Sequence, residues 1–124
     1  MQLLVDKVIH YCLGKKGAAL DYPFDRDIPV VKVAGKIFAL IFIQNKEHPF
    51  VNLKCDPLIA ANLREQNKNI RPGYHMNKQH WNTVQLDGSV PEDDLTDMID
   101  HSYEMVVKKL PKHAREALEE SGKL

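Results

Sequence analysis

The stretch Ile37 to Ile43, IFALIFI, is apolar at every position. Successive side chains of a strand point to opposite faces, so a strand that alternates apolar and polar residues needs a cover on one side only. This one has nothing polar to turn outward and is predicted to be central in a sheet. Val30-Val31-Lys32-Val33 precedes it across an Ala34-Gly35 turn, and Phe50-Val51-Asn52-Leu53-Lys54 follows after a break from Gln44 to Pro49. These β-branched and aromatic runs predict three antiparallel strands joined by hairpins. Val51 and Leu53 alternate with Asn52 and Lys54, which makes one face of the sheet partly polar.

Helical signals surround this block. Leu4, Val8, Tyr11 and Cys12 recur at helical spacing, and Gly14 stands where a left-handed cap would stop the helix. Lys15 to Pro29 has turn formers, a charged Asp25-Arg26-Asp27 run and no period, and reads as a loop with a small edge strand at most. Asp56-Pro57 starts a second helix, because the Asp side chain accepts from an orphan amide while proline needs no donor at the first position. That helix runs to about Gln66, with Ile59 and Leu63 as its packing contacts and Ala60 alongside. Thr83 to Leu86 alternates as a strand and turns at Asp87-Gly88. Pro91 to Asp94 is acidic and Lys108-Lys109 basic, in agreement with a helix dipole between them. Leu95, Met98, Ile99, Ser102, Val106 and Leu110 form its buried stripe, Pro111 breaks it, and HAREALEE is a last, exposed helix. The expected class is α+β, two layers, with helices on one face of an antiparallel sheet.

At 124 residues the chain fits one domain. Seventeen Lys plus Arg balance seventeen Asp plus Glu, so no net field draws it to polyanions, and a nucleic-acid site would need local charge asymmetry. Cys12 and Cys55 have no CxxC and no partner His at zinc spacing, and read as free thiols. No apolar run approaches the ~20 residues of a membrane span. A soluble, cytoplasmic monomer without a cofactor is the expectation.

The densest cluster of hydrogen-bonding side chains lies between Arg71 and Leu86 and includes the single tryptophan. If Val84 and Leu86 point toward the helices, Thr83, Gln85 and Trp81 point away, and Asn52 and Lys54 share that side. Trp81 would then be a platform on the sheet face; the alternative is a core or sheet-edge residue beneath the loop. Arg64, Lys68, Arg71 and Lys78 face Glu65 alone between positions 62 and 80, which reads either as phosphate contact or as a solvated surface. His75 and His80 are candidate acid-base groups or ligands, or loop braces, and Asn77 caps a short turn through Lys78 to Trp81. Asp93, Asp97, Asp100 and Glu104 recur every three or four residues, a stripe able to hold a hard cation weakly. No nucleophile has a visible base and orienting group, and no glycine-rich phosphate loop exists, so no catalysis is implied.

Asn52-Leu53-Lys54 with Pro57, Ile70-Arg71-Pro72-Gly73-Tyr74-His75-Met76-Asn77-Lys78-Gln79-His80-Trp81, Leu86-Asp87-Gly88 and Ser102-Tyr103 together resemble the MmcQ/YjbR family of small bacterial proteins. The resemblance implies a compact α+β fold of the CyaY-like or secretion-chaperone-like kind. It also implies a suggested role in DNA binding through a double-wing arrangement. The leading expectation is therefore a DNA-binding protein that uses Lys54, Arg64, Arg71, His75, Asn77, Lys78, His80 and Trp81. The alternative is a protein-interaction module with the same surface as its interface; weak metal binding or an unrecognised enzyme stand behind both.

Overall fold

The structure is a computed structural model and describes residues 2–121. Its elements in chain order are α1 (Gln2–Leu13), β1 (Ala18–Asp21), β2 (Val30–Val33), β3 (Lys36–Phe42), β4 (Phe50–Lys54), α2 (Pro57–Gln66), β5 (Ile70–Pro72), β6 (Trp81–Gln85), α3 (Glu92–Lys108) and α4 (Lys112–Ser121). The strands form one antiparallel sheet in the order β1-β2-β3-β4-β6-β5, which places β3 in the interior as expected. Helices α1 and α3 pack on one face, and the fold is α+β.

Strand β3 serves both faces through a bulge. Val31 and Lys32 are opposite Ala39 and Ile37, so Phe38 is an extra residue in the ladder. Phe38, Ala39 and Ile41 enter the helix-side core with Val5, Val8, Leu53, Val84, Ile99 and Val106. Leu40 and Phe42 face the other way, into a smaller cluster with Val30 and Trp81 that Ile28, Ile37, Phe50 and Met76 complete. The side chain of Ser102 on α3 bridges the strands beside the bulge. Its hydroxyl donates to the Phe38 carbonyl at 2.6 Å and accepts from the Lys54 amide at 2.8 Å. A buried serine in the middle of an apolar helix stripe is explained by these two bonds, which satisfy backbone groups between β3 and β4.

Asp56 caps α2 as expected, accepting from the Leu58 amide at 3.0 Å with Pro57 in the first turn. The helix packs through Leu63 and Ala60 as expected, but not through Ile59. Ala60 is buried and Leu63 lies against the core, whereas Ile59 is 44% exposed and Leu58 more so. Helix α1 also ends differently: Gly14 donates to the His10 and Tyr11 carbonyls, and the left-handed residue is Gly17, at φ 75°. A Cβ on Gly17 would lie 2.4 Å from Leu118 of α4, so glycine here serves both the turn and helix docking. Strand β5 lies inside a segment expected to be loop; three residues ending in proline carry no strand period.

At the end of α1, Tyr11 donates to Asp100 at 2.7 Å and Lys15 pairs with the same carboxylate. Burial opposes ionisation of Asp100, but the bonds from Lys15 and Tyr11, with the Lys15 charge, outweigh it and hold the carboxyl below its ordinary range. Asp100 is thus taken out of the acidic stripe expected on α3, and no cluster of three or more metal-ligating acids, histidines or cysteines forms among the described residues. Both cysteines are free and buried, and burial pushes the Cys12 thiol up to about 12 and the Cys55 thiol up to about 11. No helix among the described residues is long and apolar enough to cross a membrane.

Two outcomes follow for stability. Ser102→Ala strands a buried amide and a buried carbonyl, and chemical denaturation should show a loss of about 1–3 kcal/mol. A depressed folded-state pKa means that Asp100 contributes fully above the unfolded carboxylate value, about 3.9, and that the contribution disappears as pH falls through the lower folded value. Urea midpoints measured down a pH series should therefore fall less steeply in Asp100→Asn than in the wild type.

Candidate binding site

The register of the sheet sets the outer face row by row. Phe42 is opposite Phe50, and Phe50 opposite Gln85; Leu40, Asn52, Thr83 and Arg71 form the next row; Lys54 and Trp81 form the third. Over these rows lies the loop from Gly73 to His80. Gly73 donates to the Trp81 carbonyl at 2.8 Å, and a Cβ on it would come within 2.6 Å of the Trp81 Cβ, so the loop can cross the strand only at glycine.

A buried polar triangle then fixes the next residue. The Tyr74 amide donates to Thr83 Oγ1 at 2.9 Å, Thr83 Oγ1 donates to Asn52 Oδ1 at 2.6 Å, and Asn52 Nδ2 donates to the Tyr74 carbonyl at 2.9 Å. Asn52 is fully buried, and every polar atom of its side chain has a partner. The partial polarity expected of this face is used to fasten a loop. Asn77 shapes the far end of that loop as expected, its Oδ1 accepting from the Gln79 amide and its carbonyl from the His80 amide.

Held in this way, the Tyr74 ring stands edge-on to the stacked pair Phe42 and Phe50. The pair's centroids are 4.6 Å apart at 14°, and Tyr74 lies 6.1 Å and 5.7 Å from them, at 86° to both. These rings wall a cleft of about 500 Å³, completed by Arg71, Pro72, Thr83, Gln44 and Asn45. No carboxylate lines it among the described residues, and the exposed Arg71 side chain has no hydrogen-bond or ion-pair partner among them. Tyr74 is 51% exposed, and the His75 ring lies 3.9 Å from it, carried by a left-handed backbone at φ 58°.

The residues expected to form one site separate. Arg71 lines the cleft and His75 lies beside it, against Tyr74. Arg64, Asn77, Lys78 and His80 hold the loop. Arg64 reaches from α2 on the helix side, donating through Nε to Asn82 Oδ1 at 2.7 Å and through its terminal nitrogen to the Trp81 carbonyl at 3.0 Å and to the Lys78 carbonyl. Lys78 Nζ donates back to the Gly73 carbonyl at 3.0 Å, and the His80 carbonyl accepts from the Cys55 amide at 2.8 Å. Lys54 stands apart. Its partial burial and the charges of Lys109 and Lys36 lower its pKa from the ordinary lysine value.

Trp81 does point outward, but it is 9% exposed and packs with Val30, Leu40, Phe42 and Met76. Of the two readings of Trp81, platform or core residue, the second holds: it is a core residue of the outer cluster, because the second apolar face of β3 also needs a cover. Phe42, Phe50, Gln44 and Asn45 were not among the expected site residues. Counting two residues back from Asn52 places Phe50 on the outer face, and that step was available from sequence; the cleft itself was not.

A family model described as YjbR matches residues 13–105. The chain belongs to the YjbR family. It is 36% identical over 117 residues to the uncharacterised protein YjbR of Escherichia coli strain K12, covering 94% of this chain and 98% of the relative. It is 41% identical over 59 residues to the uncharacterised protein YyaQ of Bacillus subtilis strain 168, covering 48% of this chain and 49% of that one. Among solved structures, a DUF419-domain protein of Deinococcus radiodurans superposes with a TM-score of 0.85 at 36% identity, over 92% of this chain and 86% of the other. A Pseudomonas syringae protein gives 0.70 at 27% identity, over 81% and 96%. The stretch from Arg71 to Trp81, one of those that carry the resemblance in sequence, contains the loop that roofs the outer sheet face.

Two substitutions test this reading of the loop. Trp81→Ala should cost about 3–5 kcal/mol, as truncation of a buried tryptophan does, and lower the melting temperature sharply. Thr83→Val leaves the Tyr74 amide and Asn52 Oδ1 without partners, for a cost of about 1–3 kcal/mol. Loosening of the loop should also shift the emission of the single tryptophan to longer wavelength.

Proposed function

We propose that this chain is a binding protein, not an enzyme, and that the outer sheet face around the Arg71 cleft is its contact surface for a protein partner. The observation that carries this reading is the concave aromatic cleft with one unpartnered cation at its edge. Aromatic walls beside a free guanidinium are the groups that most often anchor protein interfaces. The site's polar side chains argue for recognition over chemistry: Thr83 and Asn52 are committed to holding Tyr74. Two buried, unbridged thiols suit a reducing, cytoplasmic location.

DNA binding is the second reading, and one observation favours it. Tyr74 and His75 form an exposed ring pair beside Arg71, an arrangement on which a base can stack. Phosphate tracking needs several free cations on one surface. Here Arg64 is an internal strap, Lys78 bonds its own loop and Lys54 lies with Lys36 and Lys109, which makes the protein-partner reading the stronger.

A photo-crosslinking residue at Gln44, an exposed position that lines the cleft, should trap a discrete partner in cells, and one at Glu116 on α4 should not. Arg71→Glu should reduce the adduct. Salt titration with a short duplex and with the matching single strand should show binding weaker than micromolar at physiological salt. Tight binding with a log-log slope near minus 0.9 for each of several phosphates would favour the nucleic-acid reading instead.

A further inference from the structure

The cleft's chemistry narrows the partner, on the reading that the outer face is a contact surface. Its apolar walls are rings, its other polar lining groups are neutral, and its one charge is positive, so the complementary ligand joins an apolar body to a single anion. The neighbouring sheet edge adds a second constraint. At β5 the Ile70 amide already donates to the Asn67 carbonyl at 3.1 Å, and Pro72 has no amide. The Arg71 amide faces β6, because Asn69 and Gly73 on either side of it both bond across that ladder. An extended segment therefore finds no edge donor for strand addition, and the ligand must be held by a side chain and an end group.

From these features we infer that the cleft receives the C-terminal residue of a protein partner, with a large aromatic side chain against Phe42, Phe50 and Tyr74 and the free α-carboxylate on the Arg71 guanidinium. Only a chain terminus carries both a large apolar side chain and a carboxylate on one residue. An internal Asp or Glu supplies the anion without the apolar body. The planar fork of arginine matches a carboxylate through two parallel bonds, and the absence of a lining acid leaves that charge unopposed among the described residues.

The test titrates isotope-labelled protein with a short glycine-serine peptide ending in phenylalanine with a free carboxylate, with the same peptide as its C-terminal amide, and with N-acetylphenylalanine. The acid peptide should shift the backbone signals of Phe50, Arg71 and Tyr74 and bind at least about tenfold more tightly than the amide. Arg71→Gln should erase that preference, Arg71→Lys should keep part of it, and Tyr74→Ala should weaken both peptides. Equal binding of acid and amide, or no shift at the cleft with either, overturns the inference. N-acetylphenylalanine binding as tightly as the acid peptide overturns the protein terminus as its source. Crosslinks from position 44 that persist while acid and amide bind alike leave the contact surface standing and remove only the carboxylate; loss of those crosslinks removes the surface itself.

Discussion

Strand β3 has no polar face to give to water, so the sheet needs two covers, and most of the structure answers that requirement. One cover is regular: α1 and α3 lay their apolar stripes over Phe38, Ala39 and Ile41. The other is irregular, made by the chain before β2 and by the loop from Gly73 to His80 around Leu40, Phe42 and Trp81. The bulge at Phe38 turns two successive residues to the helix side, and Ser102 satisfies the backbone beside it. A single hydroxyl thus links the better-packed layer to the strand that also supports the outer one.

Covering a sheet with a loop raises a difficulty that a helix does not have, because loop amides and carbonyls have no partners of their own. Here Asn52 and Thr83 supply them from the sheet, while Arg64 and Lys78 supply further donors to loop carbonyls. The roof is therefore rigid where it crosses β6, and beyond that crossing Tyr74 is held against Phe42 and Phe50 with half its surface open. The cleft arises where the roof stops short of the β3–β4 hairpin.

Two arginines only seven positions apart are used in opposite ways. Arg64 makes three bonds to backbone and amide oxygens, and its role is mechanical. Arg71 sits on an outward position of the edge strand, opposite Thr83, with no side-chain partner among the described residues. Charge counted along the sequence treats the two as equal members of a basic cluster; direction relative to the sheet distinguishes them. The same separation explains why an overall neutral chain can present a locally cationic cleft.

Much of the fold was legible because it follows from local periods. The three-strand block, the Asp56 cap, the acidic start of α3 and its stripe from Leu95 to Val106 stand as expected, since strand alternation, helix spacing and end effects act over a few residues. Membership of the YjbR family was legible in the Arg71 to Trp81 motif for the same reason. Less local features were not. Strand β5 is three residues long, Gly17 serves a helix a hundred positions away, and Ile59 is exposed because Ala60 and Leu63 make the contact. The side of the sheet on which Trp81 lies was determined by the sequence, through strand parity. Whether Trp81 would be a platform or a core residue was decided only by the tertiary structure, because that depends on a loop closing over it. Pairing between strands distant in sequence likewise brought Phe42, Phe50, Tyr74 and Arg71 to one cleft.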